Sequence, residues 1–137
     1  MTVPINLDNW APHALGLTRI MAGLLLLAHG TSKLLGFPAG GYAPEAGSLP
    51  WIAGCIELLC GSLLTLGLFT RPAAFLASGL CAFAYFIGHF PQSFFPVLNG
   101  GDAAVLFCFI FFYLVFSGPG LWSLDAVRAR SRKQPVG

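Results

Sequence analysis

The stretch from 49 to 90, LPWIAGCIELLCGSLLTLGLFTRPAAFLASGLCAFAYFIGHF, contains one carboxylate, Glu57, and one fixed cation, Arg71. Thr70-Arg71-Pro72 reads as a tight hairpin dividing it into two apolar runs, 49–69 and 73–90. Each is close to the roughly 17–25 residues that a helix needs to cross bilayer hydrocarbon. Neither run alternates as a half-buried strand does, and lipid leaves exposed backbone groups without partners, so both must be helical. Pro72 suits the first turn of the second of these helices, where its missing N–H costs nothing.

Two further apolar runs flank this pair, 14–35 before it and 102–117 after it, the last being the shortest. The expected fold is therefore all-α, a single integral-membrane four-helix bundle. Composition agrees: 56% of the 137 residues are hydrophobic and 9% are charged, where soluble domains carry about a quarter charged residues. A chain this small could not cover so much apolar surface in water. Residues 1–12 hold Asp8 but no Lys or Arg, and the first apolar run is too long for a signal-peptide core, so that run is expected to act as an uncleaved signal anchor.

The connections carry turn residues. Residues 36–48 contain four glycines and two prolines, a loop long enough to fold back over the bundle; 91–101 contains two prolines and ends in Asn99-Gly100-Gly101; Gly118-Pro119-Gly120 stops the fourth helix. Beyond it lies a short basic tail, 121–137, where Ser123 is placed to N-cap a helix with Asp125 near its positive end. Arg128, Arg130, Arg132 and Lys133 crowd this tail, Arg71 lies in the second connection, and Arg19 lies early in the first helix. With four crossings these all fall on one face, which the positive-inside rule makes cytoplasmic, along with both termini. Beside a membrane segment such a basic run is a topogenic signal that attracts anionic lipid; nucleic acid is not an expected partner. Trp10 and Trp122 suit the inner interface, and Trp51 and Tyr42 the outer one.

Charges inside a span each need a reason, since one at mid-bilayer costs at least about 2.5–3.5 kcal/mol. Counting a rise of about 1.5 Å per residue from the cytoplasmic end puts Arg19 at roughly 7 Å and Glu57 at roughly 18 Å. His29, His89 and Asp102 fall at roughly 22–24 Å, with Lys33 near the outer surface. His29 and Lys33, four apart, share a helix face with Arg19 on nearly the same stripe. Gly23 and Gly30 run beside that stripe, and Gly54 and Gly61 share the Glu57 face, so these helices can approach closely. Arg19, His29, Lys33, Glu57, His89 and Asp102 are accordingly the candidate site: either a set of ion pairs that fixes helix register, or a polar pocket for a small molecule, quinone headgroup or proton. Glu57 needs a cation, with Lys33, protonated His29 or Arg19 the candidates. No catalytic residue can be assigned.

Cys55, Cys60, Cys81 and Cys108 all lie within spans, form no Cys-x-x-Cys pair, and read as small apolar filler. That argues against a thiol-oxidising membrane enzyme, and two histidines on separate helices offer no metal-ligand spacing. Phe107, Phe109, Phe111, Phe112 and Phe116 make the fourth helix aromatic nearly all round, as lipid or a partner subunit would require. There is no phosphate loop or nucleotide fingerprint.

Arg19-x-x-x-Gly23, His29-Gly30-x-x-Lys33, Glu57-x-x-x-Gly61, Gly67-Leu68-x-Thr70-Arg71 and Gly118-Pro119-Gly120-x-x-Ser123-Leu124-Asp125 together resemble the DoxX family, in an order that covers about 15–127. The resemblance implies a four-helix protein of the bacterial inner membrane, similar to the small subunit of thiosulfate:quinone oxidoreductase. Its pattern falls on Arg19, His29, Lys33, Glu57 and Arg71. It also implies an accessory subunit of a membrane oxidoreductase or respiratory complex, with quinone as the candidate ligand, no intrinsic cofactor, and a redox centre supplied by a partner subunit. A structural or assembly subunit is the alternative. A small four-helix multidrug transporter fits less well, because those carry their essential carboxylate in the first helix.

Overall fold

The computed structural model describes residues 7–132; Lys133, the last basic residue of the expected tail run, lies outside them. A short 3-10 turn, Leu7–Trp10, leads into α1 (Ala11–Leu35). Then come α2 (Leu49–Leu66), α3 (Thr70–Ala84), a π turn (Tyr85–His89), α4 (Pro96–Asn99), α5 (Asp102–Ser117) and α6 (Leu124–Ser131). All described secondary structure is helical, in six α-helical segments where four were expected. The additional two are short: α4 sits in the loop before α5, and α6 is the tail helix that the sequence placed after Ser123.

α1, α2 and α3 with its π turn are long and apolar enough to cross a membrane. α5 has 16 residues, about 24 Å at the usual rise, short of the roughly 30 Å of hydrocarbon. The exterior suits lipid: Phe75, Phe83, Phe86, Phe109, Phe112 and Phe116 are all more than half exposed, which water would penalise and a bilayer rewards. The chain is a multi-pass membrane protein in contact with the lipid bilayer.

Two antiparallel pairs build the bundle. In the first, glycines bring α1 and α2 backbone to backbone. A Cβ on Gly23 would lie 2.7 Å from the Thr65 amide nitrogen, one on Gly30 would lie 2.5 Å from that of Leu58, and one on Gly61 would lie 2.5 Å from that of Leu27. This is the small-residue packing that membrane helices rely on where no hydrophobic effect draws them together. In the second pair, Arg71 at the start of α3 donates to the Val115 and Phe116 carbonyls at the end of α5. Midway, the Ser78 hydroxyl donates to the Cys108 carbonyl at 2.9 Å. At the far end His89 reaches the Asn99 carbonyl just before α5, at 3.0 Å. α5 thus runs beside α3 along its length. Leu64, Ala74, Ala77, Phe111 and Leu114 fill the space between the pairs.

The α2–α3 connection corrects the sequence reading. The chain turns at Gly67-Leu68-Phe69, with Gly67 at φ +66° and Phe69 at φ +49°, and Thr70-Arg71-Pro72 forms the first turn of α3. What lets α3 begin early is a cap from another helix. The Asp125 carboxylate accepts from the Phe69 and Thr70 amides at 3.0 and 2.8 Å. Its own amide donates to the Gly67 carbonyl at 2.9 Å. Ser123 N-caps α6 as expected, accepting from the Ala126 amide at 3.1 Å. The 36–48 loop folds back onto the end of α1: Phe37 N–H donates to the Thr31 carbonyl at 3.3 Å, and Gly41 lies against Ser32.

Burial alone would raise the Asp125 pKa, but the amide hydrogen bonds from Thr70 and Phe69, helped by Arg128, outweigh it and hold the carboxyl below its usual value. A depressed folded-state pKa stabilises the fold above the unfolded value, about 3.9, and that contribution is lost as pH falls through the folded value. Asp125→Ala should therefore cost about 0.5–2 kcal/mol near neutrality, the usual worth of a helix cap. The melting-temperature gap between wild type and variant in detergent should narrow as pH is taken from 7 to 3. A gap that stays constant over that range would show that the carboxylate does not cap α3.

Candidate functional site

The six candidate residues do not converge on one place. Arg19, fully buried, belongs to the opposite end of the bundle. Its Nε donates to the Pro119 carbonyl, Nη1 to those of Leu64 and Thr65, and Nη2 to those of Leu121 and Trp122, at 2.5 to 3.2 Å. All five guanidinium hydrogens are taken, so Arg19 is not the counter-ion of Glu57. From Arg19 to Lys33 along α1 is about 21 Å at the helical rise. Its depth in the sequence reading agrees with this placement; its inferred company does not. Asp102 also stays apart: it is exposed in the first turn of α5, where its charge favours the helix N-terminus, and the neighbouring Ala103 and Ala104 line the site instead.

Lys33, Glu57, His29 and His89 do come together. They line a chamber of about 280 Å³ to which α1, α2, α3 with its π turn, and α5 all contribute. Lys33 Nζ lies 2.6 Å from Glu57 Oε1 in an ion pair whose side chains are 23% and 10% exposed. The close crossing of Gly30 over Leu58 and Glu57 brings the two helices near enough for this reach, and Gly54 receives the Lys33 stem. Glu57 Oε2 is buried and has no hydrogen-bond partner. An unsatisfied carboxylate oxygen in a low-dielectric setting is costly, about 1–3 kcal/mol or more, and it marks where a donor belongs.

Each histidine is oriented by backbone. His29 Nδ1 lies 2.8 Å from the Leu25 carbonyl, and His89 Nδ1 lies 3.0 Å from that of Asn99. A carbonyl only accepts, so Nδ1 carries the proton in each neutral ring and Nε2 is left as an acceptor. His29 also meets the edge of Phe107, with ring centroids 6.4 Å apart, and Phe107 stacks on Phe111.

His89 owes its position to the π turn, closed by the Phe90 amide on the Tyr85 carbonyl at 2.9 Å. π turns recur at functional sites because they re-aim side chains. The loop that receives His89 is organised by Asn99, which is buried. Its side chain donates to the Ser93 carbonyl at 2.7 Å and accepts from the Gly101 amide at 2.8 Å, while Tyr85 Oη donates to the Phe94 carbonyl at 2.8 Å. The sequence reading treated Asn99 only as part of a helix breaker. An amide side chain immediately before Gly-Gly, flanked by apolar residues, was the available signal.

Among the cysteines, Cys60 and Cys81 are buried, Cys55 and Cys108 are half-buried, and all four are unpaired; Cys81 also lines the chamber. On the outer side of the chamber, between α2 and α3, lies an apolar groove of about 350 Å³ that shares Lys33, Leu80, Ala84 and His89 with it.

Comparison with known proteins gives two findings. The DoxX family pattern matches residues 14–90, a stretch that contains Arg19, His29, Lys33, Glu57, Arg71 and His89. An uncharacterized protein of Haemophilus influenzae is 42% identical over 126 residues, covering 88% of this chain and 94% of that one. No solved structure matches.

If Lys33 and Glu57 are an ionised pair, removing one partner leaves a buried charge. Lys33→Met should destabilise by about 3–5 kcal/mol, and Lys33→Met with Glu57→Leu should recover most of that loss. Thermal unfolding of the purified proteins reads both. A single variant as stable as wild type would mean that the pair does not hold the helices.

Proposed function

We propose, from the premise that this chain belongs to the DoxX family, that it is an accessory subunit of a membrane oxidoreductase or respiratory complex in the bacterial inner membrane, and that its outer chamber holds a quinone headgroup. The observation that carries this reading is Glu57: one oxygen is paired with Lys33, the other is buried and unpartnered, and the residue lines a chamber built from both helix pairs. An ion pair that served only as a strut would have no use for the second oxygen or for two histidines with Nε2 left over. The competing structural or assembly role draws its support from the pair itself and from the glycine-packed α1–α2 crossing. The described residues include no haem pair or flavin fingerprint, so electrons would come and go through a partner subunit. In this reading the chain's own residues bind and orient the ring: Lys33 donates to one ring oxygen, and Glu57 Oε2 accepts from a hydroxyl.

The same reading has α5 as a fourth crossing, since it lies alongside α3 from Arg71 to Asn99. Both termini then face the cytoplasm with Arg71, Arg128, Arg130 and Arg132. Reporter fusions at Gly47 and Asn99 should read as external, and fusions at Leu68 and after Ser131 as cytoplasmic. An external reading after Ser131 would remove the fourth crossing.

Purified protein in nanodiscs should bind a benzoquinone–benzoquinol couple, and Glu57→Gln should weaken that binding at least tenfold while most of the protein stays folded. Loss of stability with binding retained by the folded fraction would favour the structural role.

A further inference from the structure

The chamber and the groove beside it share four residues, and the polar groups around the chamber are unequal in kind. Glu57 Oε2 has no partner, and His29 and His89 each spend Nδ1–H on a carbonyl, so their neutral rings present Nε2. These are three acceptors. The donor side is Lys33, whose ammonium already gives one hydrogen to Glu57 Oε1. A quinone ring oxygen only accepts; a quinol hydroxyl also donates. The neighbouring groove is apolar, and Ile52, Phe83 and Ile87 along it are 45%, 57% and 51% exposed on the face where lipid lies.

Building on the quinone-site reading above, we infer that chamber and groove form one bipartite site for a lipid-tailed quinol, selective for the reduced form, with the ring among Glu57, His29, His89 and Lys33 and the tail between α2 and α3. The junction is fixed by Lys33, Leu80, Ala84 and His89, which line both spaces. The two volumes, about 280 and 350 Å³, suit a ring and the first part of a chain, and together they fall within the usual range of roughly 300–1,000 Å³ for ligand pockets. The reduced form is favoured because a buried acceptor left without a donor costs far more than a satisfied one gains. Entry is lateral, from the bilayer, since the groove opens on the lipid-facing surface.

The test uses the whole chain in nanodiscs with four probes: decyl-benzoquinol, decyl-benzoquinone and the methyl-substituted form of each. The decyl quinol should bind at least tenfold tighter than the decyl quinone. For a two-electron couple, that raises the midpoint potential of the bound pair by about 30 mV. Ala53→Trp, which fills the groove, should weaken the decyl quinol at least tenfold and leave the methyl quinol within twofold of wild type. Glu57→Gln should shrink the preference for the reduced form. Absence of binding by all four probes would overturn the quinone-site reading and this inference with it. Quinone binding as tightly as quinol would overturn the selectivity while leaving the site, and Ala53→Trp acting on both chain lengths, or on neither, would overturn the groove as the tail site. The redox comparison needs no variant, so misfolding of Glu57→Gln does not protect the inference.

Discussion

A helix that ends within or near lipid leaves carbonyls that no water can satisfy, and at the end of α2 this bundle settles that problem with one side chain. Arg19 places its five hydrogens on the last carbonyls of α2 and on the carbonyls of the 119–122 turn. A guanidinium suits this task because its donors are fixed in a plane and it never loses its proton. The partial negative charge at the α2 C-terminus helps to compensate the cation, as does the nearby Asp125 carboxylate. Gly16, Gly67 and Gly120 clear the space around it. A Cβ on Gly67 would lie 2.9 Å from Arg19 Cζ, one on Gly16 would lie 2.7 Å from the Leu121 carbonyl oxygen, and one on Gly120 would lie 2.7 Å from the Gly16 nitrogen. Through Arg19, α1 is tied to the end of α2 and to the turn that leads into α6.

The two ends of the bundle differ for the same reason. At the Arg19 end, charged side chains are matched to backbone: Arg71 serves the α5 C-terminus and Asp125 serves the α3 N-terminus. At the other end, side chain meets side chain in the Lys33–Glu57 pair, and acceptors remain over. The first end is closed by these bonds to backbone. The second is held apart by the residues that line it and has room for something else.

The sequence made the apolar architecture legible because hydrocarbon thickness, helical rise and breaker residues act on composition alone. α1 ends at Leu35 and α5 spans Asp102–Ser117, both where Gly36, Gly101 and Gly118 indicated. Lys33, Glu57, His29 and His89 were legible by depth. Depth gives height in the membrane but not direction around the helix, which is why Asp102 was grouped with them; Arg19, at a different height, was grouped by its helix face and as a candidate cation for Glu57. Arg19 bonds to backbone carbonyls, atoms that every residue has, so its partners leave no trace in residue identity. The cap on α3 was hidden for a related reason: Asp125 was read within its own helix, whereas its carboxylate serves a helix that begins 55 residues earlier. The short α4 and the π turn depend on how Asn99 ties up the loop between α3 and α5, a tertiary effect with no periodic signature.

The π turn also bears on how readily such a site could arise or disappear over evolutionary time. A turn closed by the Phe90 amide on the Tyr85 carbonyl holds one residue more than an α-turn, and each residue of an α-helix advances the chain by about 100°. With one residue fewer between Tyr85 and His89, the imidazole would face a different side of the helix, while the hydropathy of the span would hardly change. For descendants of this chain, a single-codon deletion here passes every requirement for membrane insertion and still separates a lineage that keeps its histidine in the chamber from one that turns it outward.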